Sequence, residues 1–339
     1  MKILYLPNAY SQQRQKDVKA NIYPVLMAME ATRQRNVGHE VLWNEPNRYE
    51  ECDCIVYDVE GYNFLDLPIP DRKLTKAWEY MDNGNYKYLP ATHMQAARDC
   101  WYHKCNFCAW AKKYPVCETR SVLSVISEVN ECVKLGFREI FDDSGTFPVG
   151  DWLRAFCQSM ISTGLNKEVV LGCNMRFGAL DLEDFALMKA AGFRMILWGM
   201  ESVNQFTLDK LNKGITAERA FVDLDLANRA GLWNHVAIMF GYPWESWIHA
   251  KLTYDIVRQG LLTNKIKTVQ ASIYDVEEWY NSFAPYEKEG ILDYAYGFRK
   301  KIYAIYHDPR YLWHRIKEIR NFDDIQYYLR GFKKLWGRK

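Results

Sequence analysis

Four times between residues 136 and 240 the chain runs from a helix-patterned segment through a glycine into a short apolar stretch. Gly136 precedes Glu139–Phe141, Gly164 precedes Val169–Leu171, Gly192 precedes Met195–Trp198, and Gly231 precedes Val236–Phe240. The glycines stand 28, 28 and 39 residues apart, room for one helix and one strand each. A glycine supplies the left-handed residue that ends a helix, and the apolar run behind it reads as a buried parallel strand. In Asp181–Ala191, Asp181 is placed to cap, Leu182, Phe185, Ala186, Leu187 and Met188 supply apolar positions, and Gly192 stops the helix. With further strands expected near Tyr88–Gln95 and Ile266–Ile273 there are about six βα units, which a partial or complete β/α barrel closes naturally. An open doubly wound sheet is the competing arrangement.

The flanks differ from this core. Residues 1–62 hold a strand at Ile3–Leu6, a helix from Tyr23 to about Asn36, a strand at Glu40–Trp43 and a third apolar run from Cys54 to Asp58. That is the start of a doubly wound α/β domain, too short to be a whole one. Asn8-Ala9-Tyr10-Ser11 stands where a glycine-rich phosphate loop would begin. Residues 63–92 read as a connector, with Pro68, Pro70, Pro90 and the turn Asp82–Asn85. The barrel is expected over 93–275 and a helical, tyrosine-rich region over 276–339. From Arg299 to Lys339 there are 12 Lys or Arg against 4 Asp or Glu. A solvated helical face explains them most simply; an anionic substrate, a membrane surface or nucleic acid are the alternatives. The net charge of +2 gives no general pull toward a polyanion.

Three of the nine cysteines fall in one nonapeptide, Cys100-Trp101-Tyr102-His103-Lys104-Cys105-Asn106-Phe107-Cys108. Clustered thiolates are ligands of iron–sulfur clusters and zinc, and a closed zinc site would need His103 or Cys117 as fourth donor. A redox dithiol of Cys105 and Cys108 would sit early in a short βαβ domain, which this position does not match. The remaining cysteines are scattered and read as buried, inert thiols. Met1–Pro7 is strand-like without a signal-peptide pattern, and no apolar run approaches a membrane span, so the expected setting is reducing and cytoplasmic. The 12 Trp and 23 Tyr suit a ring-lined site as well as an ordinary core.

In a β/α barrel the working residues follow the strands. Those positions hold the cysteine nonapeptide, Asp142-Asp143-Ser144-Gly145-Thr146, Cys173-Asn174-Met175-Arg176, Gly199-Met200-Glu201-Ser202 and Gly241-Tyr242-Pro243-Trp244-Glu245. Polar turns and helix caps account for any one of them; five sets on one rim favour a site.

From Leu89 to about Gly260 the chain resembles the radical S-adenosylmethionine superfamily, in particular the subgroup with cobalamin-binding domains and the anaerobic magnesium-protoporphyrin monomethyl ester cyclases. The resemblance rests on Cys100…Cys105-Asn106-Phe107-Cys108-Ala109-Trp110, Phe141–Phe147, Asn174-Met175-Arg176, Gly199–Ser202 running on to Leu208–Gly214, and Gly241–Ser246. It implies a partial (β/α)6 barrel and a [4Fe-4S] cluster on Cys100, Cys105 and Cys108, with S-adenosylmethionine on the fourth iron. Reductive cleavage would then give a 5′-deoxyadenosyl radical that abstracts hydrogen from a small-molecule or lipid-like organic substrate, for rearrangement, oxidation or methylation. By the same carry-over Ser144, Gly145 and Thr146 approach the methionine end of S-adenosylmethionine, and Arg176 and Glu201 border its polar groups. A low-potential donor such as flavodoxin or ferredoxin and sensitivity to oxygen are implied as well. No catalytic side chain is singled out.

The chain departs from the family's commonest pattern in the four residues between Cys100 and Cys105, and in Tyr274–Glu278 where many relatives carry Pro-Gly-Thr. The short N-terminal segment counts against cobalamin without closing the question, since its single histidine, His39, lies outside the cobalt-ligating motif. Two other readings are a non-catalytic zinc or iron–sulfur protein, and an RNA-modifying enzyme of the same superfamily. The latter rests only on the basic tail.

Overall fold

The computed structural model describes residues 1–6, 24–56, 63–81, 84–114, 116–274 and 285–336. The expectations for Asn8–Ser11, the turn at Asp82–Asn83 and the stretch after Tyr274 lie outside the described residues.

Six parallel strands form the central sheet. They are β4 (Ala91–Met94), β7 (Glu139–Asp142), β8 (Val170–Met175), β9 (Phe193–Glu201), β10 (Trp233–Phe240) and β11 (Thr268–Ile273), in the spatial order β11-β10-β9-β8-β7-β4. Every strand lies beside its predecessor in this series, and the ends β4 and β11 do not pair, so the barrel is partial. The crossovers carry helices α3 (Val122–Lys134), α4 (Asp151–Ser162), α5 (Leu182–Ala190), α7 (Ala217–Arg229) and α8 (Trp247–Leu262). Each helix-ending glycine sits at positive φ: Gly136 at 85°, Gly164 at 76°, Gly192 at 95° and Gly231 at 80°. Asp181 forms a full capping box with Asp184 at the start of α5.

β8 and β9 run further than their apolar cores suggested. Cys173–Met175 and Gly199–Glu201 are strand residues, because register with a neighbour, rather than hydrophobicity, keeps them extended. Gly199 pairs with Ala237 and Glu201 with Ile238, so Met200 is an extra residue, a bulge at the end of β9.

Residues 1–56 contribute a three-stranded parallel sheet, β2-β1-β3, from β1 (Lys2–Tyr5), β2 (Glu40–Trp43) and β3 (Cys54–Val56), with helix α1 (Val25–Asn36). The connector is packed rather than loose. Arg72 is fully buried and donates to the His93 carbonyl (2.9 Å) and to Glu128 (2.6 Å), whose carboxylate also receives Arg120. Two guanidinium groups around one buried carboxylate keep each charge partnered.

The tyrosine-rich tail has a structural task. It forms α9 (Pro285–Ala304), α10 (Pro309–Lys317) and α11 (Phe322–Trp336). β11 is an edge strand, and tail hydroxyls occupy its outer hydrogen-bonding positions. The Val269 amide donates to Tyr306 Oη (2.8 Å), the Ala271 amide donates to Tyr303 Oη (3.1 Å), and both hydroxyls donate back to the same residues' carbonyls (3.2 Å each). An exposed strand edge is thereby covered without a seventh strand. No described helix is long and apolar enough to cross a membrane.

Candidate active site

The cysteine loop leaves β4 through the short antiparallel pair β5 (Ala97–Arg98) and β6 (Glu118–Thr119) and ends in the short helix α2 (Ala109–Lys113). It is clasped by the segment that follows α6 (Gln205–Lys210). Tyr102 Oη donates to the Asn212 carbonyl (3.0 Å), Asn106 Nδ2 to the Lys210 carbonyl (2.9 Å) and the Asn106 amide to the Leu211 carbonyl (3.3 Å). Asn212 Nδ2 returns a bond to the Lys104 carbonyl (2.8 Å). Arg176 closes the side, its guanidinium 3.5 Å from the Tyr102 ring centroid and donating to the Gly214 carbonyl at 2.8 Å.

Behind the loop, Asp142 accepts from the Ala96 amide (2.6 Å) and the Ser144 amide (3.0 Å), and Ser144 Oγ accepts from the Ala97 amide (2.9 Å). These bonds fix the β7 turn to the root of the loop. Gly145 lies so close that a Cβ there would meet Asp99 C at 2.9 Å and Cys100 N at 3.1 Å. Cys100 Sγ donates to Thr146 Oγ1 (3.0 Å).

The two sides enclose a cavity of about 300 Å3, at the small end for a ligand site. Cys100, Cys105 and Cys108 line one wall. Asp143, Ser144, Gly145 and Thr146 come from β7, Asn174, Met175 and Arg176 from β8, Gly199 and Glu201 from β9, and Lys213 from the clasp. The eight residues that the resemblance assigns to cluster and cofactor, Cys100, Cys105, Cys108, Ser144, Gly145, Thr146, Arg176 and Glu201, all line this cavity. The fifth rim set does not: Gly241 donates to Glu245 Oε2 (2.8 Å), Ser246 caps α8, and Tyr242 packs with Leu211 and Tyr274 behind the clasp. That set builds the turn rather than the wall.

Charge is concentrated and buried here. Lys213 Nζ donates to Glu201 Oε1 (2.8 Å). Burial pulls the Lys213 ammonium down, but the adjoining carboxylate outweighs this and holds it above its ordinary value. Burial lowers Arg176, with Tyr102, Cys105 and Cys100 opposing. It raises the Cys105 thiol, against Lys213 and Arg176. Burial also pushes Asp142 up to about 6, and Asp143 up to about 7 with Asp142 adding to the effect. Of the seven non-glycine residues at positive φ among the described residues, Asp99, His103, Glu201 and Asn212 belong to this site. Such backbones cost about 1–3 kcal/mol each and persist where surroundings over-determine them. For Glu201 the cause is visible: the Met200 bulge and a φ of 64° aim its carboxylate at Lys213.

Sequence reasoning did not single out Tyr102, Asn212 or Lys213. Asn212 and Lys213 fall within the Leu208–Gly214 stretch that carries the resemblance, but nothing in the sequence pairs Lys213 with Glu201, 12 residues earlier. Asp99 was also missed; its Oδ2 pairs with His103 Nδ1 while its buried Oδ1 has no partner. The scattered thiols need one correction. Cys132, Cys157 and Cys173 are buried, but Cys54, on an edge strand, is exposed and Cys52 and Cys117 are half-buried.

Among the described residues no three His, Cys, Asp or Glu side chains converge on a point as one metal ion would need. The donors instead ring a cavity: three soft sulfurs, an orphaned buried carboxylate oxygen on Asp99, and glycines at 145, 199 and 214 where a Cβ would press on Asp99, on Glu201 and Lys213, and on Tyr102. Three thiols around a space, beside paired cations and carboxylates, fit a polynuclear iron–sulfur cluster with a zwitterionic ligand next to it.

The site is thus a three-thiol loop at the carboxyl ends of the strands of a six-stranded parallel partial barrel. The radical SAM superfamily model matches residues 96–256 of the chain. Among solved structures the chain is similar to the radical S-adenosylmethionine methyltransferase TsrM from Kitasatospora setae with cobalamin and a [4Fe-4S] cluster bound. The TM-score is 0.51 at 16% identity, over 62% of this chain and 37% of that one. It is also similar to OxsB, a cobalamin-dependent S-adenosylmethionine radical enzyme with aqua-cobalamin and S-adenosylmethionine bound. There the TM-score is 0.50 at 16% identity, over 74% of this chain and 36% of that one. The chain thus spans well under half the length of these proteins, and at such identity the likeness is one of fold. No curated protein matches the chain in sequence.

Proposed function

We propose that this chain is a radical S-adenosylmethionine enzyme acting on a small organic, partly apolar substrate. The observation that carries the reading is the enclosure of Cys100, Cys105 and Cys108 in one cavity with Asp143, Thr146, Arg176, Glu201 and Lys213. In this reading residues 1–62 are a reduced α/β segment, 63–92 a packed connector, 93–275 the catalytic barrel and 276–339 its helical support.

The three thiols would hold the cluster. When bound, a low-potential [4Fe-4S] cluster supplies the electron that cleaves the sulfonium of S-adenosylmethionine, and the carbon radical so released takes hydrogen from the substrate. Ser144, Gly145 and Thr146 form the turn beside Cys100 against which the methionine end of the cofactor would lie. Arg176 offers its guanidinium to a carboxylate, and Glu201, whose Oε1 accepts from Lys213, offers its second oxygen to a cation. Phe107, Trp110, Met175, Leu197 and Ala237 complete the lining with apolar surface, which excludes water and suits a partly apolar substrate. Reduction would come from a flavodoxin- or ferredoxin-like donor. Cobalamin, which the solved neighbours hold, is a ligand this architecture admits; corrinoid absorbance retained after gel filtration decides it.

The test is 5′-deoxyadenosine formation from S-adenosylmethionine and dithionite after anaerobic reconstitution with iron and sulfide. Product from the native chain and none from Cys105→Ala supports the reading. Equal product from both, with the cluster intact, refutes the ligand assignment.

A further inference from the structure

We propose that the outer faces of α10 and α11 dock on an anionic lipid surface. Five large apolar side chains stand in solvent there: Trp313 (55% exposed) and Ile316 (59%) on α10, and Phe322 (69%), Ile325 (40%) and Leu329 (62%) on α11. Spacings of three, and of three and seven, put each group on one face of its helix. The opposite faces are already used, with Tyr311 and Arg315 of α10 and Asp324 and Tyr327 of α11 buried.

Charge says what covers the outer faces. All four acidic residues from Ile305 to Trp336 are engaged elsewhere. Asp308 caps α10 and holds Arg310, Glu318 takes Lys267, Asp323 takes Arg138, and Asp324 takes Lys87. Lys317, Arg320 and Lys333 are exposed, and none is in an ion pair among the described residues. Lys317 Nζ lies 4.8 Å from the Trp313 ring centroid, so an indole and an ammonium are offered together. Apolar side chains interspersed with unpaired cations match a surface whose outer layer is anionic and whose interior is hydrocarbon, and tryptophan favours that boundary. A second copy of the same face would set cations against cations.

The full chain is sedimented with vesicles of phosphatidylcholine alone and of phosphatidylcholine mixed with phosphatidylglycerol. We expect binding only to the mixed vesicles, weakened by salt. At about fivefold per cation, Lys317→Gln with Lys333→Gln should lower the partition about 25-fold. Phe322→Asp with Leu329→Asp should abolish it. All four positions are solvent-exposed, so both double variants should keep the native melting temperature. Three results overturn the proposal: no sedimentation with either vesicle, equal sedimentation with both, or loss of binding only in variants whose melting temperature has collapsed. A dimer in gel filtration that Leu329→Asp dissolves, without vesicle binding, would overturn it in favour of a second copy. Salt-sensitive RNA binding without vesicle binding would overturn it in favour of nucleic acid.

Discussion

Replacing Gly145 by alanine tests whether the β7 turn presses against the root of the cysteine loop. On the native backbone the new Cβ would lie 2.9 Å from Asp99 C, 3.0 Å from Asp99 O and 3.1 Å from Cys100 N. All three are backbone atoms, so no side-chain rotation relieves the overlap and either the turn or the loop must move. Overpacking of this kind costs about 1–3 kcal/mol. At roughly 2–4 °C per kcal/mol for a large domain, the thermal midpoint should fall by about 2–12 °C. Because Cys100 moves with the loop, iron bound after anaerobic reconstitution should fall too. Gly297, inside α9 with nothing within 4 Å of a Cβ, is the control. Alanine there should gain about 0.5–1 kcal/mol from helix propensity and leave iron unchanged. The assay pairs circular-dichroism melting of the metal-free protein with iron per chain. A Gly145→Ala variant with native midpoint and native iron would refute the contact.

Asn212→Ala should cost about 1 kcal/mol in urea unfolding from the lost bond to Lys104, plus the smaller amount by which alanine tolerates a left-handed φ less well than asparagine. Asn212→Gly loses the bond but relieves the backbone, so it should cost clearly less; equal costs would refute the strain at this position. Both should speed tryptic cleavage after Lys104 in the metal-free protein. Burial pushes Glu245 up to about 7, above its unfolded value, so the native state binds more protons and loses stability as pH rises from about 4.5 through 7. Glu245→Gln should remove roughly 3 kcal/mol of that decline, and unchanged pH dependence in the variant would contradict the burial.

The helix-ending glycines were legible because a left-handed backbone position has one cheap occupant; Gly136, Gly164, Gly192 and Gly231 all sit where the pattern put them. The cysteine loop and Ser144–Thr146 were legible because strand ends position side chains without reference to distant sequence. The Met200 bulge was not, since it exists only in the register of β9 against β10. Asn212 and Lys213 stood in the Leu208–Gly214 stretch that carries the resemblance, but their contacts did not show, because Lys104 and Glu201 lie on other elements. The tail's tyrosines read as composition until β11 proved to be an edge that their hydroxyls complete. The connector's prolines marked it as a link and said nothing of its packing, whereas Arg72 buries its charge by packing that segment against Glu128.

Electron paramagnetic resonance of the anaerobically reconstituted, dithionite-reduced chain, with and without S-adenosylmethionine, tests the central claim most directly. The account predicts a [4Fe-4S]+ signal whose g-values shift when S-adenosylmethionine is added, and no such signal in Cys105→Ala. A reduced cluster indifferent to S-adenosylmethionine, or one that survives Cys105→Ala unchanged, would contradict it.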